Sequence, residues 1–546
     1  MSLLRNTFAC LLAASPLFVS QVKAQSDNYV SNVWVADNKN GTYKNPILNA
    51  DYSDPDAIRV GDDYYMIASS FDQVPGLPIL HSKDLVNWKL IGHALAKQPP
   101  YDVYNTVQHG NGVWAPAIRY HKGEFWIYFP DPEFGIYVTK AKNATGPWSE
   151  PVLVEAGKGL IDPCPFWDED GKVYLAMAYA GSRAGFKSIL AIKEMNAEGT
   201  KVIGDPVLIF DGNPDHKTVE GPKIHKRNGY YYVFAPAGGV ATGWQLVLRS
   251  KNIYGPYEHK IVMDQGTTSV NGPHQGAWVN TQTGEDWFVH FQDKDAYGRV
   301  VHLQPMKWVN DWPVIGEDKD GDGKGNPVMV YKKPNVGKGP YPVVTPVESD
   351  QFNEPQLGLQ WQWAANYDQR WGFVTGRLGY LRLYAFKNDD TTRSLWNRPN
   401  RLTQKFPADN FKATIKLKFN PKFENDKVGL LVMGQSYAYI GIRKTKDGNF
   451  ISYVNNKAAN KKGREEELLM DAVKSDDIYL RVEVKEKGIC TFSYSFDNKK
   501  FTIIPRTFTA TPGQWIGAKV GMFCTSETKT NDAGYADIDW FVIDKN

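Results

Sequence analysis

The chain has 546 residues, enough for at least two domains, and its 42% hydrophobic and 23% charged residues exclude a disordered chain or a fibrous repeat. Lys and Arg number 63 against 60 for Asp and Glu, and this net charge of +3 offers no basic field for nucleic acid. Aromatic residues reach 13%, which with 48 Gly and 33 Pro predicts many short strands joined by tight turns.

The N-terminus has the pattern of an export signal. Arg5 precedes an apolar run over residues 8–19, which is shorter than the roughly 20 residues that a membrane helix needs. The segment Val22–Ala24 then offers small residues where a signal peptidase cuts. We predict a signal peptide over residues 1–24 and an exported protein, with the periplasm as the expected compartment and secretion as the alternative. No later apolar stretch reaches membrane length, so no membrane span is expected.

Three cysteines follow the predicted signal: Cys164, Cys490 and Cys524. So few cysteines in a chain of this length do not form a disulfide framework. Two arrangements fit the sequence. Either Cys490 pairs with Cys524 and Cys164 is free, or all three are buried and reduced.

One unit recurs five times: an apolar strand, a turn with glycine, and an aromatic-rich strand. A second pair of strands follows each copy, and four strands in a repeat of about 50 residues form a β-propeller blade. We therefore predict a five-bladed β-propeller over residues 25–335, with the recurring aromatic residues packing the blades. The turn glycines of the five copies are Gly61, Gly123, Gly171, Gly229 and Gly284.

The repeat ends before a second region of different pattern. Residues 336–348 are rich in Gly and Pro and are predicted to be a linker. From residue 349 to 546 the chain alternates apolar and polar residues, as in FKATIKLKF and IYLRVEVKE, with little helical periodicity. This pattern predicts a β-sandwich of jelly-roll or concanavalin type, so the expected fold class is all-β with two domains.

Three acidic residues precede hairpins of the repeat: Asp54 before the first, Asp162 before the third and Glu220 before the fourth. Because the innermost strands of a propeller face its central channel, these side chains are expected to converge there. An acidic residue beside Pro or Gly is more often a solvated turn former, but matching places in three blades favour a site. Glycoside hydrolysis needs such a set, since one carboxyl protonates the leaving oxygen and another activates water or attacks carbon.

Several segments resemble glycoside hydrolase family 43 in order along the chain: NADYSDPDAIRV, GVWAPAIRY, IDPCPFW, VEGPKI and GRVVHLQP. The tail from SDQFNEPQ to ADIDWFV resembles the concanavalin-like β-sandwich that follows many propellers of this family, and within the family the chain resembles exported Bacteroides-type α-L-arabinofuranosidases. The resemblance implies an inverting reaction with Asp54 as general base and Glu220 as general acid. Asp162 is then the aspartate that orients the acid and tunes its pKa.

The same resemblance implies four substrate-binding residues. Arg299 is expected to reach the sugar hydroxyls and the carboxylates, while Phe71 and Trp114 are expected to line the sugar subsite. Without the resemblance, a surface arginine and aromatic residues packed in blades are the plainer interpretations. His274 is expected near a channel cation, held through water because calcium prefers oxygen ligands; a core histidine is the alternative.

Two acidic groups are weaker calcium candidates. Asp318, Asp320 and Asp322 alternate as in the first half of a calcium loop, but the twelfth position is Met329 and not an acidic residue, so a solvated turn is favoured. In the sandwich, one structural calcium is expected between a residue near its start and one near its end. The candidates are Asp350, with Asp537 or Asp539. No cofactor is expected for the chemistry.

The leading hypothesis is an exo-acting α-L-arabinofuranosidase that removes terminal arabinofuranose from hemicellulose oligosaccharides of arabinoxylan or xyloglucan. A β-xylosidase with the same catalytic residues is the alternative within this chemistry. A non-catalytic carbohydrate-binding protein is a hypothesis of another class, and the set of Asp54, Asp162 and Glu220 speaks against it because a binder needs no acid and base. A related five-bladed family acting on fructans is disfavoured by the lack of its characteristic start.

Overall fold

The structure, a computed structural model, describes residues 28–387, 394–528 and 534–546. The predicted signal peptide over residues 1–24 lies outside the described residues. The described segments fold almost entirely into strands, and the longest helix among them has four residues. The predicted all-β class is therefore confirmed. None of the described helices has the length and apolar character needed to cross a membrane.

The first domain is a five-bladed β-propeller, as predicted. Each blade is a four-stranded antiparallel sheet whose strands follow one another in sequence, and a short additional pair joins the start of the domain to its end. In chain order the strands are β1 (Thr42–Lys44), β2 (Asp56–Val60), β3 (Asp63–Ile67), β4 (Gly76–Ser82), β5 (Trp88–Leu95), β6 (Ala117–His121), β7 (Glu124–Asp131), β8 (Gly135–Ala141), β9 (Val152–Ala156), β10 (Leu160–Trp167), β11 (Val173–Tyr179), β12 (Ile189–Met195), β13 (Val207–Asp211), β14 (Lys223–Arg227), β15 (Tyr230–Ala237), β16 (Trp244–Ser250), β17 (Glu258–Met263), β18 (His274–Asn280), β19 (Asp286–Asp293), β20 (Arg299–Val309), β21 (Trp312–Ile315) and β22 (Val330–Lys332). The blades are β2–β5, β6–β9, β10–β13, β14–β17 and β18–β21, and β1 pairs with β22.

The recurring hairpins form the inner half of each blade. Their turn glycines all have positive φ, from 63° at Gly61 to 85° at Gly171 and Gly284, a backbone region that glycine adopts without a steric penalty. The aromatic residues that follow these turns are buried in every blade: Tyr64, Trp126, Tyr174, Tyr232 and Trp287. Much of the aromatic content therefore packs the blades together.

The second domain is a β-sandwich of two seven-stranded sheets with the apolar core between them. Residues 336–348, which lie before it, contain no helix or strand. Its strands are β23 (Gln362–Trp363), β24 (Gly372–Val374), β25 (Leu381–Tyr384), β26 (Arg401–Lys405), β27 (Phe411–Asn420), β28 (Lys427–Met433), β29 (Tyr437–Thr445), β30 (Gly448–Asn456), β31 (Glu466–Ala472), β32 (Ile478–Lys485), β33 (Ile489–Ser495), β34 (Thr502–Thr509), β35 (Lys519–Thr525) and β36 (Tyr535–Asp544). One sheet has the order β23-β26-β35-β28-β29-β30-β31, and the other has the order β24-β25-β36-β27-β32-β33-β34.

Helical structure is confined to short turns in the described residues. These are the α-helix α1 (Gly181–Ala184) and 3-10 turns at Val103–Asn105, Asp295–Tyr297, Gly376–Leu378, Leu395–Asn397, Ala459–Lys461 and Glu486–Gly488.

Backbone hydrogen bonds join the sandwich to the propeller. Val74 and Trp363 exchange both of their bonds, at 3.0 and 2.6 Å, and the Ala518 amide donates to the Ala296 carbonyl at 2.7 Å. The Tyr297 hydroxyl, on the propeller, donates to the carbonyl of Lys485 in the sandwich at 2.8 Å. The two domains are thus held together at several separate points.

The three cysteines of the described chain, Cys164, Cys490 and Cys524, are all buried and free. The structure therefore agrees with the reduced arrangement and not with a Cys490–Cys524 disulfide.

Candidate active site

The three predicted carboxylates lie at the innermost strands of three blades. Asp54 stands just before β2, Asp162 lies within β10, and Glu220 stands just before β14. The first strands of adjacent blades pack against one another around the channel. Their sequence-distant carboxyls are therefore brought to one end of the same channel.

The backbone at these positions is unusual. Asp54 and Asp162 have φ of 55° and 58°, and Glu220 is followed by Gly221 with φ of 60°. A residue other than glycine in this region costs about 1–3 kcal/mol, and such strain collects at functional sites. At Asp162 the pairing of β10 with its neighbour also shifts register, and such a bulge redirects a side chain. The chain thus departs from regular strand geometry where it presents the acidic side chains.

Asp54 is surrounded by hydrogen-bond donors. It is 4% exposed, and its Oδ2 accepts the hydroxyls of Ser53 at 2.7 Å and Ser69 at 2.5 Å. Its Oδ1 accepts a hydrogen bond from the guanidinium of Arg299 at 3.1 Å. All of these donors stabilise the ionised carboxylate. This environment suits a group that must accept a proton.

Asp162 is buried beside Glu220. It is 2% exposed, and its Oδ2 accepts the Gly221 amide at 2.7 Å. Burial, and next the charge of Glu220, raise the pKa of Asp162 to about 7, while Lys223 and the Gly221 amide act in the opposite direction. Burial and the charge of Glu220 thus both favour the protonated form of Asp162.

Glu220 is the most open of the three carboxylates. Its side chain is 24% exposed, and its Oε1 lies 2.8 Å from Nε2 of the fully buried His274. The histidine contacts one oxygen, while part of the carboxyl side chain remains exposed. This is the position from which a carboxylic acid can reach the oxygen of a leaving group.

Arg299 belongs to a network that the sequence did not reveal. Its guanidinium lies over the ring of Phe291, 4.9 Å from the centroid, and its amide donates to Asp51 Oδ1 at 2.9 Å. The other oxygen of Asp51 accepts the amide of Gly517, in the sandwich, at 3.0 Å. Asp51 thus joins two blades and the sandwich behind Asp54. Its partner Gly517 is 466 residues away in sequence, so no local pattern marks this role.

The predicted aromatic residues differ in accessibility. Phe71 is only 2% exposed, so its ring offers little open surface, whereas Trp114 is partly exposed. Trp515 of the sandwich, which is 45% exposed, meets Trp114 edge to face with 6.0 Å between the ring centroids. A Cβ added at Gly110 would lie 2.6 Å from Trp515 Cδ1, so the sandwich loop rests directly on the propeller. Trp515 was missed because it lies outside the repeat.

The residues around His274 do not fit a calcium ion held by the protein. Its Nε2 contacts Glu220, and its Nδ1 is buried with no hydrogen-bond partner among the described residues. The backbone of Gly243 lies close to this side of the ring, since a Cβ atom added to that glycine would be 3.2 Å from the Nδ1. Calcium takes six to eight oxygen ligands, and among the described residues His274 belongs to no cluster of three His, Cys, Asp or Glu side chains that could hold a metal. His274 is thus a fully buried residue whose Nε2 contacts Glu220, and a cation held there through water stays a prediction.

The predicted sandwich calcium site is not assembled either. Asp350 accepts the amides of Phe352 and Gly358 and the indole of Trp361. Asp537 forms an ion pair with Arg382 at 2.7 Å, and Asp539 forms one with Lys416 at 2.8 Å. Each carboxylate is therefore already held by protein donors, and the three do not fit one shared calcium ion.

The acidic loop is the one cluster of three potential metal ligands within the described segments. It consists of Asp318, Asp320 and Asp322. Asp318 accepts the amides of Gly321 and Gly323 at 2.8 and 3.0 Å, which is the pattern of a self-capped turn. This arrangement agrees with the favoured interpretation as a solvated turn.

Comparison with known proteins places the chain in a family. Residues 43–313 match Glycosyl hydrolases family 43, and residues 349–544 match the Beta xylosidase C-terminal Concanavalin A-like domain. A Xylanibacter ruminicola protein with the provisional name beta-xylosidase is 39% identical over 90% of this chain and 87% of its own length. The chain belongs to glycosyl hydrolase family 43. The family and the C-terminal domain that the sequence motifs predicted are thus confirmed, and the protein is a glycosidase.

Other relatives match this chain over nearly its whole length. A beta-xylosidase of Formosa agariphila is 34% identical over 93% of this chain and 91% of its own length. A non-reducing end alpha-L-arabinofuranosidase of Bacteroides ovatus is 29% identical over 92% and 94%. The crystal structure of a xylan beta-1,4-xylosidase from Bacillus halodurans superimposes with a TM-score of 0.81 at 25% identity, covering 92% of this chain and all of that one.

Proposed function

We propose that this family-43 glycosidase is an exo-acting β-D-xylosidase that releases terminal xylose from xylo-oligosaccharides with inversion of configuration. The convergence of Asp54, Asp162 and Glu220 at one end of the propeller channel carries the proposal. Two relatives at 39% and 34% identity are named as beta-xylosidases, which supports xylose over arabinofuranose as the preferred sugar.

The proposed reaction assigns a different task to each carboxylate. Asp54, held by its three donors, takes a proton from a water molecule that attacks the anomeric carbon. Glu220 donates a proton to the oxygen of the departing sugar. Asp162 lies beside Glu220, and in its ionised form its negative charge favours retention of the proton on Glu220 until the bond breaks. Arg299 holds Asp54 in place and offers its remaining donors to the substrate.

Burial of the site supports action at a chain end. Asp54 and Asp162 are 4% and 2% exposed, so the base lies at the bottom of the site and the acid nearer its opening. We expect Trp114 of the propeller and Trp515 of the sandwich, which contact each other, to border that opening. A single terminal sugar would then lie between the base and the acid, with the rest of the oligosaccharide extending past Glu220.

An α-L-arabinofuranosidase is the second candidate, and it was the first choice from sequence alone. The Bacteroides ovatus relative carries that name at 29% identity, and a relative from Butyrivibrio fibrisolvens at 26% identity is named xylosidase/arabinosidase. The same acid and base serve both sugars, so the shape of the sugar pocket decides between them.

The test compares 4-nitrophenyl β-D-xylopyranoside with 4-nitrophenyl α-L-arabinofuranoside on the purified protein. We expect kcat/KM to be higher for the xyloside. A higher value for the arabinofuranoside would replace the first candidate with the second, and no hydrolysis of either would refute both. The Glu220→Ala variant, prepared in the same way, controls for contaminating glycosidases.

A further inference from the structure

The end of the propeller channel opposite the three carboxylates is an open cup, which we call the distal cup. The innermost strands β2, β6, β10, β14 and β18 all lead from the catalytic end of the channel to this cup. Its volume is about 500 Å³, which is within the range of pockets that bind small ligands. Residues near the far ends of all five strands line it: 57–59, 119–121, 165–169, 224–226 and 278–280.

The distal cup is separate from the catalytic site. Arg119, on β6, reaches two other blades: it forms an ion pair with Asp56 on β2 at 2.7 Å, and its other terminal nitrogen lies 2.9 Å from the Cys164 sulfur on β10. Asp56 and Cys164 are buried, and each lies two residues beyond a candidate catalytic carboxylate. This bridge therefore crosses the channel between the carboxylates and the cup. At about 3.3 Å per strand residue, the middle of the cup lies roughly 15 Å along the strands from the carboxylates.

The charges of the distal cup balance one another. Lys226 forms ion pairs with Asp168 at 2.8 Å and with Glu169 at 3.0 Å. Arg119 has its own buried carboxylate partner, and Arg59 donates hydrogen bonds to neutral oxygens. Three cations thus accompany three carboxylates, so the cup presents no net field that would attract an ion. Its surface suits a neutral ligand.

The distal cup combines accessible rings with accessible polar groups. Tyr120 is 45% exposed, and Phe166 is partly exposed. Glu169 and Asn280 are exposed at the rim, and Nε2 of His225, which lines the cup, has no hydrogen-bond partner among the described residues. Flat rings pack against the C–H faces of a sugar, while carboxylate, amide and imidazole groups form hydrogen bonds with its hydroxyls.

We propose that the distal cup is a second, non-catalytic carbohydrate-binding site that takes a neutral oligosaccharide. Tyr120 and Phe166 supply the ring surface, and Glu169, Asn280 and His225 supply hydrogen bonds to the sugar hydroxyls. A neutral ligand rich in hydroxyls matches a surface of balanced charge, whereas a phosphate or a metal ion does not. The inference rests on the proposed function only for the identity of the sugar, a xylo-oligosaccharide. A chain bound in the cup leaves the catalytic end free for another chain end.

The test titrates xylohexaose into the Glu220→Gln protein by isothermal titration calorimetry, because this variant should hydrolyse the probe slowly. Adding Tyr120→Ala and Phe166→Ala should weaken one class of binding sites tenfold or more and leave the other class in place. Tyr120→Phe keeps the ring and should retain the binding. Phe373→Ala removes a ring of similar exposure from β24 of the sandwich, and as the matched control it should change nothing.

Hydrolysis distinguishes the distal cup from the catalytic site. In the wild-type background, Tyr120→Ala and Phe166→Ala should leave kcat/KM unchanged for whichever aryl glycoside the wild type hydrolyses faster. Unchanged kinetics also show that each variant is folded. If Phe166→Ala does not fold, the calorimetry uses Tyr120→Ala alone, since this ring is the more exposed of the two.

Xylohexaose binding that the ring substitutions leave unchanged would overturn the inference, as would the absence of any binding. A loss of kcat/KM that matches the loss of binding would place the effect at the catalytic end and would also overturn it. A wild type inactive on both aryl glycosides would refute the proposed function instead, and the calorimetry would still decide whether binding depends on Tyr120.

Discussion

At the scale of single residues, three carboxylates of similar chemistry are distinguished by their surroundings. Asp54 has three side-chain donors around it, Asp162 is buried next to another acid, and Glu220 keeps an exposed face. Their positions before propeller hairpins could be predicted because the repeat is visible in the sequence. Asp51 could not be predicted, since its contacts come from Arg299 and Gly517, which are distant in sequence.

Substitution of Glu220 tests its role as the acid. Glu220→Gln should lower kcat/KM for xylobiose by about a thousandfold, a loss in the range typical of general acid catalysis. The loss for 2,4-dinitrophenyl β-D-xyloside should be much smaller, because that leaving group departs without a proton. Steady-state kinetics on the two substrates measure the difference, with the exposed Glu198→Gln as control. Equal losses on both substrates would remove Glu220 from this role.

Asp162→Asn should change the pH profile of kcat/KM. The negative charge of Asp162 favours the proton on its neighbour, so its removal lets that proton leave at lower pH. We expect the alkaline limb of kcat/KM to move down and the maximum to fall. A limb that moved up, or did not move, would show that Asp162 does not act through the charge of the pair.

At the scale of elements, hairpins and blades could be predicted, whereas the distortions that aim the side chains could not. The turn glycines marked the register of each blade, because only glycine adopts their positive φ without strain. Asp54 and Asp162 also have positive φ although they are not glycines, so the residue type gives no sign of their backbone conformation.

Asp51 holds three elements together and also faces two buried lysines. Lys405 and Lys519 are buried in the sandwich near Asp51, and burial lowers the pKa of Lys519 to about 7. Asp51→Asn removes the compensating charge and one acceptor, so we expect the free energy of unfolding to fall by about 3 kcal/mol. Urea unfolding measures it. Asp62→Asn, in a surface ion pair with Lys338, serves as control and should change nothing measurable. A loss no larger than the control's would show that Asp51 does not secure the domains.

At the scale of the whole molecule, the sequence predicted two domains but not that the second reaches the active site. Trp515 and Gly517 lie in one sandwich loop, and they meet Trp114 and Asp51 of the propeller. Contacts between domains depend on the shapes of the two folded surfaces, and neither the propeller repeat nor the strand periodicity of the sandwich predicts how those surfaces pack.

The domains should therefore unfold together. The two domains are joined by the buried charges around Asp51 and by three sets of hydrogen bonds, at Val74–Trp363, Ala296–Ala518 and Tyr297–Lys485. We expect one calorimetric transition for the intact protein and a lower transition temperature for Asp51→Asn. Two well-separated transitions in the wild type would show that the domains are energetically independent.

Hydrolysis of xylotetraose followed by ¹H NMR tests the central claim most directly, since one time course reports the sugar released, the end attacked and the stereochemistry. The account predicts free xylose as the first product from the start, appearing as the α-anomer before mutarotation produces the β-anomer. Xylobiose as the first product, or xylose that appears first as the β-anomer, would contradict it.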